Sequence, residues 1–158
     1  MDPELTGRVA IVAAASKGLG REGRTCPEGA NIAICVRTAS TLAETASQIQ
    51  KATGREAFYK ALNVTDSKAV TDFAAAVETH FGRLDICVTN SGRPPSNLFK
   101  NTPPEVWRAA LDQLLMSTIY FAKETLPHMQ KKKWRRLITI TSSAVKQPID
   151  GRYVRSLL

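Results

Sequence analysis

The chain has no apolar run long enough to span a bilayer, so nothing in it predicts a membrane helix. Its first residues, Met1-Asp2-Pro3-Glu4, are acidic and offer neither the basic n-region nor the apolar h-region of a secretory signal, which makes the cytoplasm the expected compartment. Cysteine is scarce. The three present, Cys26, Cys35 and Cys87, are odd in number and form no Cys-x-x-Cys, and Cys35 and Cys87 fall inside apolar strand-like runs. They read as buried thiols rather than ligands, and no metal site is expected. Low-complexity linkers and repeats at solenoid periods are also missing, which excludes a repeat architecture. Acidic residues are in the minority: 14 Asp and Glu stand against 22 Lys and Arg, for a net charge of +8. Part of that excess sits in Lys131-Lys132-Lys133-Trp134-Arg135-Arg136. Such a run reads either as a nucleic-acid patch or as a solvated turn between a helix and a strand, and its shortness and single aromatic favour the turn. An excess of positive charge also suits an anionic cofactor or substrate.

What is present is ordinary globular composition, 43% apolar and 23% charged over 158 residues, enough for one domain, 1–158, to bury a core. Strand-like and helix-like segments alternate from end to end as βαβαβαβαβ. Val9-Ala10-Ile11-Val12 is the first strand and Ala30 to Val36 the second, a near-continuous apolar run suited to a parallel strand covered on both faces. Ser40 or Thr41 is placed to cap a helix whose Leu42, Ala46 and Ile49 share a face and which Gly54 closes. Ala57 to Leu62 is a third strand. Ser67 to Phe81 is a second helix, with Val70, Phe73, Val77 and Phe81 on one stripe and Gly82 past its end. Leu84 to Thr89 is the fourth strand. Thr102-Pro103-Pro104-Glu105 has the form of a capping box with proline at the first helical position, and starts a long helix to about Met129. The middle of that helix, Leu114-Leu115-Met116 with Ile119, Tyr120 and Phe121, is apolar on more than one side, which predicts a sheet on one side and another subunit on the other. Leu137 to Thr141 is the fifth strand. Repeated βα units imply an open parallel sheet that binds ligands at the carboxyl ends of its strands.

The first candidate site lies at the end of strand one. Ala13-Ala14-Ala15-Ser16-Lys17-Gly18-Leu19-Gly20 follows the apolar run directly and must turn sharply. Glycines at 18 and 20 let the backbone approach a pyrophosphate, and the N–H groups and positive dipole end of a following helix would face its oxygens. A nucleotide cofactor is the reading this supports, although glycine also serves strand-to-helix turns for steric reasons alone.

Several motifs fall in register with that turn. Asn63-Val64-Thr65-Asp66 follows strand three, Phe81-Gly82-Arg83-Leu84-Asp85-Ile86 precedes strand four, Thr89-Asn90-Ser91-Gly92 follows it, and Ile140-Thr141-Ser142-Ser143 follows strand five. In this set, in this order, the chain resembles the short-chain dehydrogenase/reductase family from Leu5 to about Gly151, most closely its bacterial 3-oxoacyl-carrier-protein reductase-like members. The resemblance implies an α/β fold: a Rossmann-like doubly wound parallel sheet of about five strands, with helices on both faces in a three-layer αβα arrangement. It implies NAD(P)(H)-dependent hydride transfer between a carbonyl and an alcohol. The cofactor residues it points to are Ala14, Ser16, Lys17, Gly18, Leu19, Gly20, Arg37, Asn63, Val64, Asn90, Ser91 and Gly92. It also implies a small carbonyl or alcohol substrate; the apolar faces of the long helix 103–129 add a homo-oligomer, while the lack of a long apolar run and the shortness of the basic run leave no membrane partner expected and a nucleic-acid partner disfavoured.

Chemistry bears on which nicotinamide nucleotide is expected. An acidic residue at the end of strand two would accept from the ribose 2′-OH, whereas here Val36 is followed by Arg37 and the phosphate turn holds Lys17. The two cations favour the 2′-phosphate of NADP over NAD, with a plain surface role for Arg37 as the alternative.

The chain also departs from the pattern. Ala14 stands where the family's phosphate turn has its first glycine, and Asn63 where an aspartate contacts adenine. The segment Arg21 to Gly29 holds glycines at 23 and 29 and a proline at 27 where an apolar crossover helix is expected, which predicts a frayed or distorted first helix. Of the family's catalytic residues, Ser143 matches the serine that fixes the substrate oxygen. Tyr153 stands for the tyrosine that transfers the proton, but Leu157 occupies the lysine position and Leu114 that of the asparagine. A tyrosine without a cationic neighbour keeps a pKa near 10 and shuttles protons poorly at neutral pH. The resemblance further implies that the family's substrate-side segment is missing from the chain, and hence weak or absent turnover. The alternative is a non-catalytic nucleotide-binding or dimerising module.

Overall fold

The structure, a computed structural model, describes residues 5–14, 29–54, 57–92, 98–131, 133–142 and 146. The predicted first crossover helix lies outside them, apart from Gly29. Within them, five strands form one parallel sheet: β1 (Val9–Ala13), β2 (Asn31–Val36), β3 (Ala57–Ala61), β4 (Ile86–Thr89) and β5 (Arg136–Thr139), in the order β3-β2-β1-β4-β5. The order reverses at β1, because the chain winds outward through β2 and β3 on one side and through β4 and β5 on the other. The gap between the carboxyl ends of β1 and β4 is therefore the place where connections depart in opposite directions and a crevice opens.

Alternation along the strands builds a core on each face. Val9, Ile11 and Ala13 of β1, with Ala33 and Cys35 of β2, point to one side and are buried. They pack there with Val70, Phe73, Ala74 and Val77 of α2 (Ser67–Phe81) and with Phe121 and Met129 of α4 (Ser117–Lys131). Val12, Ile32, Ile34 and Val36 point to the other side, against Leu42 and Ile49 of α1 (Ser40–Thr53). Helices thus cover both faces of a sheet whose inner strands are apolar almost throughout, the condition under which parallel sheets are stable. The expected three-layer αβα arrangement is what the described residues form.

The ends of the elements follow local chemistry, with some differences from expectation. The second predicted helix is found with its bounds unchanged, because the Asp66 carboxylate accepts the Ala69 N–H at 3.1 Å at its start and Gly82 ends it in the left-handed region, φ 70°. The helix α1 begins earlier than predicted: Ala39 is already helical, φ −61° and ψ −35°, and the Leu42 N–H bonds its carbonyl at 3.1 Å, so Ser40 and Thr41 lie inside the helix and not at the predicted cap position. The expected capping box at Thr102 does not form either. Pro103 is the N-cap of α3 (Pro104–Leu111), which leaves Thr102 one position too early, and its hydroxyl donates instead to the Leu98 carbonyl at 2.7 Å. Proline at the first helical position is as predicted: neither Pro103 nor Pro104 carries an N–H that would need a cap.

The long helix expected from 103 to 129 is not continuous. A π-helical turn over Asp112–Met116 separates α3 from α4, with the Ser117 N–H reaching back five residues to the Asp112 carbonyl. Beyond it Ser117, Phe121, Thr125 and Met129 face the sheet and are buried. Leu111, Leu115 and Ile119, four residues apart, form an outward stripe that is 37%, 49% and 43% exposed.

At the amino ends of the strands, Asp85 is fully buried and ties three segments together. It accepts the Val9 N–H at 2.9 Å, forms two 2.7 Å bonds with the Arg83 guanidinium, and lies 3.5 Å from that of Arg8. Burial pushes its carboxyl upward, but the Arg83 bonds, the Val9 N–H and the charges of Arg83 and Arg8 outweigh it, so the group ends below the usual carboxylate range. Trp134 lies at the same end, with the Arg8 and Arg136 guanidiniums 4.3 and 4.9 Å from its ring centroid. The basic run is thus a turn leading into β5, with its one aromatic ring engaged by the chain's own arginines.

Candidate functional site

Each loop at the carboxyl edge of the sheet is fixed by the strand before it. The register of β1 against β2 pairs Ala13 with Cys35, so Ala14 leaves β1 while Arg37 leaves β2 two residues past that pair. Arg37 is exposed. The Leu62 N–H continues the ladder to the Val36 carbonyl at 3.0 Å, which brings Asn63 to the same edge, also exposed. Its side-chain oxygen accepts the Thr65 N–H at 3.2 Å and its carbonyl accepts the Asp66 N–H at 3.0 Å, forming a turn that leads into α2. Val64 is buried in the core on the α2 face, so its side chain is a packing group and only its backbone faces the edge.

The crevice between β1 and β4 is the most constrained part. Ala14 has φ 50°, a left-handed conformation that costs a residue with a Cβ. From β4, the Asn90 side-chain amide reaches across to the Ala14 carbonyl at 3.5 Å. Ser91 is half-buried, and Gly92 is exposed with φ 85°, so the β4 strand also leaves the sheet through a left-handed turn. On the other side, Thr89 and Thr139 join the ends of β4 and β5 through their hydroxyls at 3.1 Å, and the Ile140 N–H bonds the Thr89 carbonyl at 3.0 Å.

Six of the twelve expected cofactor residues, Ala14, Arg37, Asn63, Val64, Asn90 and Ser91, together with a seventh, Gly92, are thereby gathered along one edge. Ser16, Lys17, Gly18, Leu19 and Gly20, and both catalytic candidates, Ser143 and Tyr153, lie outside the described residues. The thiols of Cys35 and Cys87 are buried, and burial pushes both up to about 12, which leaves them unreactive at neutral pH. Among the described residues no group of three or more His, Cys, Asp and Glu could hold a metal ion, and no helix is long and apolar enough to cross a membrane.

The edge thus holds the Asn63 amide after β3, the exposed Arg37 cation after β2, and the Asn90 amide and exposed Gly92 backbone after β4. The family model for the short chain dehydrogenases matches residues 8–154 of this chain. The chain belongs to the short-chain dehydrogenase family. Its curated relatives in that family include the 3-oxoacyl-[acyl-carrier-protein] reductase FabG of Escherichia coli K12, to which it is 31% identical over 138 residues, 86% of this chain and 55% of that protein. Among solved structures, it superposes on L-sorbose reductase from Gluconobacter frateurii complexed with NADPH and L-sorbose with a TM-score of 0.94 at 24% identity, covering 99% of this chain and 60% of that one. It superposes on NAD+-bound xylitol dehydrogenase with a TM-score of 0.91 at 19% identity, covering 98% of this chain and 60% of that one. The TM-scores establish the fold, and at identities this low the likeness speaks of the fold alone. This short-chain dehydrogenase chain spans a little over half the length of the curated relatives it matches.

One residue at the site carries no sequence signal. Gln113, in the π turn, donates its side-chain N–H to the Ser91 carbonyl at 2.7 Å. The position the family resemblance singles out is the next one, Leu114, whose side chain is half-buried and apolar and whose carbonyl is taken by the Thr118 hydroxyl at 3.0 Å. The widened turn, not the residue type, is what puts Gln113 against the end of β4.

Proposed function

We propose that this short-chain dehydrogenase chain binds a nicotinamide dinucleotide, NADP in preference to NAD, along the carboxyl edge of its sheet, and serves carbonyl–alcohol hydride transfer of the 3-oxoacyl reductase type. The observation that carries this reading is the crevice at the β1–β4 reversal, where Ala14, Asn90, Ser91 and Gly92 converge. The residues present suit the group. Arg37 offers a guanidinium where a 2′-phosphate would lie and where a carboxylate would favour the free 2′-OH, and the open Gly92 backbone admits close approach. When bound, the reduced nicotinamide supplies a hydride to the carbonyl carbon while a proton goes to the oxygen.

Ser143 is assigned to hold the substrate oxygen and Tyr153 to deliver the proton. With Leu157 in place of a cationic neighbour, that tyrosine is a weak acid, so turnover by this chain is expected to be low. The relatives' names run from a 3-oxoacyl-[acyl-carrier-protein] reductase for FabG to an L-sorbose reductase for the Gluconobacter protein. The FabG likeness supports the 3-oxoacyl class. The stripe Leu111, Leu115 and Ile119 is assigned as a homodimer contact, because exposed large apolar side chains in a row across α3, the π turn and α4 are stabilised by burial against a second copy.

Calorimetric titration with NADPH and NADH tests the reading, with Arg37→Asp as the discriminating variant. Saturable binding with NADPH preferred, and a preference reduced about 10- to 100-fold in Arg37→Asp, is the expected result, as hydrogen bonds to charged groups are worth roughly 1.5–3 kcal/mol. An unchanged preference in that variant would remove Arg37 from the site, and a folded chain that binds neither nucleotide would remove the function.

A further inference from the structure

The π turn between α3 and α4 is built, and it has one consequence at the site. Two hydroxyls support it: Ser117 donates to the Gln113 carbonyl at 2.6 Å and Thr118 to the Leu114 carbonyl at 3.0 Å, satisfying acceptors in the widened segment. Beyond it α4 is locked against the sheet by Phe121, Thr125 and Met129. Residues in an α-helix are about 100° apart around the axis, so removing the extra residue would swing position 113 by about that angle relative to α4 and away from β4. The turn thereby aims Gln113 at the end of β4, and its side chain makes a short 2.7 Å bond to the carbonyl of Ser91, 22 residues away in sequence.

The same amide also lies under the next residue. A Cβ placed on Gly92 would stand 3.5 Å from the Gln113 Nε2, so the carboxamide sits in contact range of the left-handed Gly92 backbone. The inner side of the 91–92 turn is held by Gln113 while Gly92 stays exposed on its outer side. Asn90, one residue earlier, points its own amide to the Ala14 carbonyl across the crevice.

We infer that Gln113 is a positioning residue for the dinucleotide: it fixes the Ser91 carbonyl, and through it the Asn90–Gly92 backbone presented to the ligand. This rests on the dinucleotide reading above for its ligand, though not for its geometry. Gln113 does not touch the reacting atoms; it acts through the turn.

Gln113→Met keeps side-chain length and helix propensity but removes the donor. Amide hydrogen exchange in a peptide spanning 89–92 is expected to quicken about tenfold, as for loss of one hydrogen bond to a well-placed acceptor, while the β2 strand is unchanged. NADPH affinity should weaken by a similar factor. Gln113→Glu supplies the readout that a purely structural role would not give. Its carboxylate cannot donate and repels the Ser91 carbonyl at pH 7.5, so binding relative to the parent chain at the same pH should fall about tenfold, and it should recover to within about threefold at pH 4.5, where a protonated carboxyl donates again. Unchanged exchange in Gln113→Met, or a Gln113→Glu deficit that is the same at both pH values, overturns the inference. Should the parent chain bind neither nucleotide, the proposed function fails and takes the ligand of this inference with it, while the exchange measurement separately decides whether Gln113 holds the 91–92 turn.

Discussion

Among the described residues at the crevice, Ala14 is the one whose backbone works against its side chain, and Ala14→Gly is the change whose outcome the structure predicts most directly. With φ at 50°, Ala14 lies in the left-handed region, which costs an L-residue roughly 1–2 kcal/mol relative to right-handed backbone and costs glycine almost nothing. Glycine loses roughly 0.5–1 kcal/mol through its freer unfolded chain. The net gain is about 0.5–1 kcal/mol, which for a chain of this size raises Tm by roughly 1–4 °C. Two internal controls calibrate it. Lys133, at φ 53° in the turn before β5, should yield a similar gain in Lys133→Gly. Gly54, at φ 66° with nothing within 4 Å of an added Cβ, should lose about 1 kcal/mol in Gly54→Ala from backbone strain alone. Thermal and urea denaturation followed by far-UV circular dichroism read all three. On the dinucleotide reading Ala14→Gly should also tighten NADPH binding severalfold, because a methyl leaves the phosphate turn, whereas Lys133→Gly should leave it alone. If both controls behave as stated and Ala14→Gly is neutral or destabilising, the left-handed conformation assigned to residue 14 is refuted.

Other consequences are as direct. Asp85→Ala takes the carboxylate from the Arg83 guanidinium and the Val9 N–H and removes the Arg8 ion pair in one step, and should cost about 3 kcal/mol by urea denaturation, with Asp85→Asn milder because it still accepts from Val9. Since the folded Asp85 carboxyl is lowered, its contribution is fully present above its unfolded value of about 3.9 and is lost as pH falls through the lower folded value. An acid titration of stability should therefore show an extra loss below about pH 4 that Asp85→Asn lacks. Leu115→Lys puts a charge in the middle of the outward stripe, and sedimentation should report a dimer for the parent chain and a monomer for the variant. Cys35 and Cys87 should resist iodoacetamide in the folded chain at pH 8, where a pKa of about 12 leaves roughly one thiol in ten thousand ionised; modification as fast as in urea would show that they are not buried.

How much of this was legible in the sequence depended on whether the determining interaction was local. The helix α2 was readable to its last residue because a stripe of Val70, Phe73 and Val77 and a closing glycine are local signals. The three-layer sheet was readable because Ile32, Ile34 and Val36 alternate with Ala33 and Cys35 in a run apolar on both sides, as a doubly covered strand must be. The Thr102 capping box misled because capping depends on which residue adopts the non-helical N-cap backbone, and a proline pair moved that point by one position. The π turn was invisible, since no residue pattern marks a hydrogen bond to the fifth residue back, and with it went the contact of Gln113 with the Ser91 carbonyl past the end of β4. Ala14 could be read as a departure from a glycine, while its left-handed backbone is a property of the folded turn. The nonlocal ring of Asp85, Arg83, Arg8 and Val9 likewise had only its Arg83-Leu84-Asp85 fragment in the sequence motif.

The central claim is that a nicotinamide dinucleotide sits across the β1–β4 crevice. It is tested most directly by following backbone amide resonances of the folded chain as NADPH is added. The account predicts saturable shifts at Ala14, Arg37, Asn63, Asn90, Ser91 and Gly92, with Arg8, Asp85 and Trp134 at the opposite edge unmoved. Shifts confined to the Arg8–Trp134–Arg136 edge, or none at all with NADPH in millimolar excess, would contradict it.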